Sequence, residues 1–136
     1  MALDGIEIMR QFVATSPFAV HVGLRLDAVE DGYTEITLPF SEHVVTIGET
    51  VHGGAIATLI DMSATAAAWA GADVPDNMRG TTVGLTVSYL AAANKTDLVA
   101  RARVLRRGKS LSYVDVEVTN ADGDLIAKGL VTYKLG

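Results

Sequence analysis

A single acidic side chain, Asp61, interrupts the apolar, alanine-rich stretch Gly53–Ala72. Aspartate is a weak former of helix interiors, and an unpaired buried charge is costly, so a carboxylate there needs a partner or a task. It can take a proton from water or attack a carbonyl carbon. Its neighbours at helical spacing, Ala57, Ala64, Thr65 and Ala68, are small, which lets a thin ligand or another backbone come close. The residues alone leave a second reading open, in which Asp61 bonds a neighbouring loop or caps a helix of a partner subunit. Upstream, Gly53 and Gly54 stand where the apolar stretch begins. The first amides of a helix have no internal partner and lie at the positive end of its dipole. Without side chains in the way, they can polarise a carbonyl and stabilise an oxyanion, or they can simply make a tight entry to the helix.

The elements that must position these groups follow from periodicity. Leu3–Thr15 carries apolar residues near helical spacing, with Ser16-Pro17 as its end. Leu24–Val29 and Tyr33–Leu38 are predicted strands around the turn Glu30-Asp31-Gly32. Phe40–Thr50 is an irregular connection. A long helix is predicted over Ala55–Ala70, closed by Gly71 and Pro75. Four strands follow at Thr81–Leu90, Leu98–Leu105, Ser110–Thr119 and Leu125–Lys134, with turns at Arg106–Lys109 and Asn120–Asp124. The order is helix, two strands, long helix, four strands. It points to an α+β fold, one curved antiparallel sheet wrapped around the long helix, over a single domain 1–136. A helix with no obvious polar face must be covered nearly all round, by the sheet and by a second subunit.

Composition narrows the function classes. The chain has 136 residues, 49% hydrophobic and 20% charged, as expected of a globular domain. Aromatics make up 6%, so the core must be filled by Ala, Val, Leu and Ile. A net charge of -5 argues against nucleic acid as the main partner. With no cysteine, disulfides, thiolate nucleophiles and thiolate metal sites are excluded. The first 16 residues lack the basic start and continuous apolar run of a signal peptide, and the expectation is a cytoplasmic protein with no membrane span. His21, His43 and His52 lack metal-ligand spacing, so neither a metal nor a resident cofactor is expected.

The segment His52-Gly53-Gly54-Ala55-Ile56-Ala57-Thr58-Leu59-Ile60-Asp61 resembles the signature of hotdog-fold thioesterases of the phenylacetate-degradation (PaaI-like) type. The resemblance continues through Gly80-Thr81-Thr82-Val83, Val87-Ser88-Tyr89-Leu90, Arg107-Gly108-Lys109-Ser110 and the closing segment Gly123–Leu135. It implies the hotdog fold, and a homodimer that shares one sheet and often pairs into a tetramer. It implies hydrolysis of an acyl- or aryl-CoA, with coenzyme A arriving as part of the substrate. The Gly53 amide would then polarise the thioester carbonyl, Asp61 of the opposite subunit would act as general base or nucleophile, and Thr82 would help hold the water. His52 stands among the catalytic candidates: the resemblance gives it the role of orienting the loop, and direct participation in proton transfer is the other reading.

Around that centre Gly54 is a further substrate contact, and Val83, Gly84 and Leu85 line the pantetheine path with backbone amides, because Gly84 leaves room beside the strand; the resemblance adds a phosphate-binding turn at Arg107, Gly108, Lys109 and Ser110. A basic hairpin turn that is merely solvated is the other reading of that cluster. Phe40, Val45, Ile47, Met62 and Trp69 are candidates for the acyl pocket. One departure stands out: Val45 falls where many relatives carry an asparagine, leaving Thr46 as its nearest polar substitute. Two alternatives remain at this level, a non-catalytic acyl-CoA-binding hotdog protein and a hotdog dehydratase or hydratase. The latter wants a His–acid pair near the helix, and only His52 and Asp61 offer one.

Overall fold

The computed structural model describes residues 4–136. The predicted helix start at Leu3 lies outside them. Helix α1 (Gly5–Thr15) opens with Asp4, whose carboxylate accepts from the Glu7 amide, 2.9 Å. Ser16-Pro17 ends α1 as predicted, but Pro17 also starts a second short helix, α2 (Pro17–Val22), which the sequence reading passed over. Proline at the first helical position loses only an amide that had no partner there, so it starts a helix as readily as it stops one. Gly23, at φ 82°, closes α2.

Strands β1 (Arg25–Glu30) and β2 (Tyr33–Leu38) form the predicted hairpin. The connection expected to be irregular contains a 3-10 turn (Glu42–Val44) and a small hairpin, β3 (Val45–Ile47) and β4 (Thr50–Val51). The long helix α3 runs Gly53–Trp69, so both glycines are helical rather than preceding the helix. Then come β5 (Gly80–Tyr89), β6 (Leu98–Arg107), β7 (Leu111–Thr119) and β8 (Leu125–Leu135). Six strands make one antiparallel sheet in the order β1-β2-β6-β7-β8-β5.

The period-two pattern sends Ala100, Ala102, Val114, Val116, Val118, Ala127 and Val131 to the inner face, all buried. There they meet Ile56, Leu59 and Ile60 of α3. Small residues let the helix sit close: a Cβ at Gly129 of β8 would lie 2.6 Å from Ile60 Cγ2. α1 covers another side of α3, and a Cβ at Gly5 would lie 1.8 Å from the Trp69 carbonyl oxygen. The outer face carries cross-strand charge pairs, such as Arg101 with Glu35 at 3.0 Å and Lys128 with Asp115 at 2.6 Å. Among the described residues no helix is long and apolar enough to cross a membrane.

Candidate active site

Asp61 and Thr82 meet across the helix–sheet interface: Thr82 Oγ1 donates to Asp61 Oδ1 at 2.6 Å. The sheet arranges this with a bulge. Between Thr82 and Gly84 the register of β5 against β8 shifts by one residue, and Val83 is the extra residue. A bulge bends its strand and re-aims a side chain, here turning Thr82 toward α3. Asp61 is half-buried, and its second oxygen has no hydrogen-bond partner among the described residues. It lines a cavity of about 400 Å³ with Phe12, Phe18, Met62, Thr65 and Tyr133.

The start of α3 forms a second cluster. His52 is the N-cap, and its Nδ1 accepts from the Gly54 amide at 2.7 Å. The His52 carbonyl takes the amides of Ala55 and Ile56. Gly53 is thus left as the helix-start amide with no acceptor among the described residues. Its own carbonyl is fixed by the Tyr89 hydroxyl, which donates to it at 2.9 Å. The 3-10 turn buttresses this end, the His52 amide donating to the Val44 carbonyl at 2.7 Å. Val45 is half-buried on the small hairpin and Thr46 is exposed beside it.

The two clusters do not meet within one chain. Gly53 and Asp61 are eight residues apart on one helix, about 12 Å along its axis.

The turn Arg107–Ser110 lies at the other end of α3. Arg107 donates to the carbonyls of Ala68 and Ala70 at 2.6 and 3.1 Å, so its guanidinium caps the negative end of the helix. Gly108 donates to the Leu111 carbonyl at 2.7 Å, and a Cβ there would lie 2.8 Å from that oxygen. Lys109 and Ser110 are exposed. Val83 and Gly84 are exposed on β5.

Of the pocket candidates, Met62 lines the Asp61 cavity, and Trp69 is buried, donating from Nε1 to Tyr133 Oη at 2.9 Å. Phe40 packs at the core's edge, and Ile47 is 81% exposed on its hairpin, away from the Asp61 cavity lining. Sequence reasoning missed Tyr89, Tyr133, Phe12 and Phe18. In a chain with so few aromatics, inward-facing tyrosines on two neighbouring strands were the available signal.

A bulged antiparallel sheet wrapped round one apolar helix, with a carboxylate at mid-helix and a free amide at its tip, defines a hotdog-fold thioesterase. The profile described as Thioesterase superfamily matches residues 48–127, more than half of the sequence, and the chain belongs to that superfamily. It is similar to human acyl-coenzyme A thioesterase 13, 39% identical over 97 residues that cover 70% of this chain and 66% of that one. Among solved structures, zebra fish thioesterase superfamily member 2 is 29% identical with a TM-score of 0.80, covering 99% of this chain and 100% of that chain. The E. coli PaaI protein from the phenylacetic acid degradation operon shares the fold at TM-score 0.81 and 17% identity, covering 93% of this chain and 89% of that chain.

Proposed function

We propose that the thioester this enzyme hydrolyses is an acyl-CoA, cleaved to a free acid and coenzyme A at sites shared between two subunits. The observation that carries the reading is the Thr82–Asp61 hydrogen bond, which fixes one carboxylate oxygen and leaves the other toward the cavity. That free oxygen takes a proton from water as the water oxygen bonds to the thioester carbon. The amide of Gly53 stabilises the oxyanion. Collapse breaks the C–S bond, and the proton held by Asp61 passes to the departing thiolate. A thioester is reactive enough for a positioned carboxylate and an amide dipole to suffice without a Ser-His-Asp triad.

Asp61 and Gly53 acting on one bond must come from different subunits, because about 12 Å of helix separates them within a chain. Two features support a dimer: β5 pairs on one side only, and Val83, Leu85, Tyr89 and Leu90 at that edge are exposed. His52 positions the glycine turn by accepting from Gly54 and takes no proton from substrate. Val83 and Gly84 border the pantetheine path. Thr46, next to Val45 in the chain and exposed on the small hairpin, stands in for the missing asparagine. In the basic turn Lys109 meets the nucleotide phosphates, since Arg107 is engaged with the helix.

The test is thiol release from a panel of acyl-CoAs. Asp61→Ala, with unchanged melting, is expected to lose about 10²-fold or more of kcat. Binding of CoA esters without turnover on any of them would instead establish a non-catalytic binding protein.

A further inference from the structure

The cavity at Asp61 does not end there. A second cavity, about 260 Å³, lies further along α3 and is walled by Ile8, Met9, Trp69 and Met78. Phe12, Thr65, Gly80 and Tyr133 line both cavities, so the two adjoin at those residues. Asp61, Thr65 and Trp69 follow one another at four-residue spacing, a stripe along one face of α3 about 12 Å long.

The far chamber has a different chemistry from the near one. Its polar side chains are the hydroxyls of Thr65 and Tyr133, at the junction, and the Trp69 indole. The indole N–H is already spent on Tyr133 Oη at 2.9 Å. Gly80 makes room for that bond, since a Cβ there would lie 2.3 Å from the Tyr133 hydroxyl. Burial, partly offset by the Trp69 hydrogen bond and reinforced by the Asp61 charge, raises the Tyr133 pKa, so its hydroxyl is neutral at physiological pH. Beyond it lie the apolar side chains of α1 and Met78. A short or polar acyl group gains nothing from this space, whereas an apolar tail buries surface there at roughly 25 cal/mol per Å².

Resting on the acyl-CoA thioesterase reading above, we infer that the far chamber receives the end of a medium-chain aliphatic acyl group whose thioester lies at Asp61. Thr65, Trp69 and Met78, with α1 as the outer wall, then set acyl-chain length.

Two measurements test this. In the first, wild type, Met78→Phe and Ile8→Phe, which of the two chambers change only the far one's lining, are assayed on butanoyl-, octanoyl- and phenylacetyl-CoA. The larger side chains are expected to lower kcat/KM for octanoyl-CoA about tenfold and leave butanoyl-CoA within about twofold. Met78 is exposed, so that variant retains the fold if Ile8→Phe does not. In the second, Asp61→Asn protein is titrated with octanoyl-CoA brominated at its terminal carbon or beside the carbonyl. Trp69 is the chain's single tryptophan, and the terminal bromide should quench it more strongly. Equal losses on all three esters, no loss on any, or equal quenching by the two bromides overturns the inference. Failure of wild type to hydrolyse any ester, with the stronger terminal quenching retained, overturns the thioesterase reading and leaves the chamber assignment standing.

Discussion

Thr82 and Asp61 define what a carboxylate needs when it sits half-buried on an apolar helix. The hydroxyl satisfies one oxygen and holds the side chain in one orientation, and in the proposed mechanism the other oxygen then meets substrate without a search among rotamers. Removing that hydroxyl should cost alignment rather than the fold. Thr82→Val is expected to lower kcat about tenfold, roughly 1.4 kcal/mol of barrier, with KM little changed and Thr82→Ser restoring most of the rate. A fall in KM affinity with kcat intact would assign Thr82 to substrate binding instead. Away from the site, Asp27 gives a pH signature. Burial disfavours its charge, but the hydrogen bonds from Thr37 and Arg25 and the Arg25 charge outweigh that and hold its carboxyl below the usual range. A carboxylate with a depressed folded pKa contributes stability that is present above its unfolded pKa and lost as pH falls below about 4. Asp27→Asn should therefore lower the melting temperature at neutral pH and flatten its decline in acid. Melting scans from neutral pH downward check this.

At the scale of elements, α3 is held at both ends by side chains from elsewhere. His52 takes the Gly54 amide at the start, and Arg107 takes the Ala68 and Ala70 carbonyls at the finish. Arg107→Ala is expected to destabilise the fold by about 1–3 kcal/mol, while Lys109→Ala, from the same turn, leaves stability unchanged and raises KM for acyl-CoA. Denaturant titration of the two variants separates capping from phosphate binding. This is also where the sequence was least legible. Its period-two runs located β1, β2 and β5–β8, and its apolar run located α3, because local spacing decides which side chains face the core. The run Arg107–Ser110 matched a binding turn by motif, yet its arginine reaches carbonyls 37 and 39 residues away in sequence, a contact that no local pattern encodes. α2 was missed because Pro17 was taken only as a stop. Thr82 was legible through the resemblance alone, as a residue that helps hold the water; its bond to Asp61 was not, since spacing along the chain does not reveal the bulge that aims Thr82 at the helix.

At the scale of the whole molecule, the proposed mechanism draws on two groups that one chain holds apart on α3. The carboxylate lies at mid-helix and the free amide at the tip, about 12 Å apart. A two-fold dimer solves this, because each helix can present its tip to the other's middle. Gly53→Pro is a clean probe of the tip. Gly53 is the first helical residue, where proline is tolerated, and His52 at φ -65° and ψ 134° already has the backbone that a following proline requires. The substitution thus deletes the free amide, with its Cβ resting 3.4 Å from the Tyr89 ring. The decisive measurement is thiol release by Asp61→Ala protein and Gly53→Pro protein, each inactive alone, after mixing and proven subunit exchange. With shared sites, half the dimers are mixed and each mixed dimer holds one intact site, so activity should return to about a quarter of wild type. Mixed dimers that stay inactive would contradict the shared site.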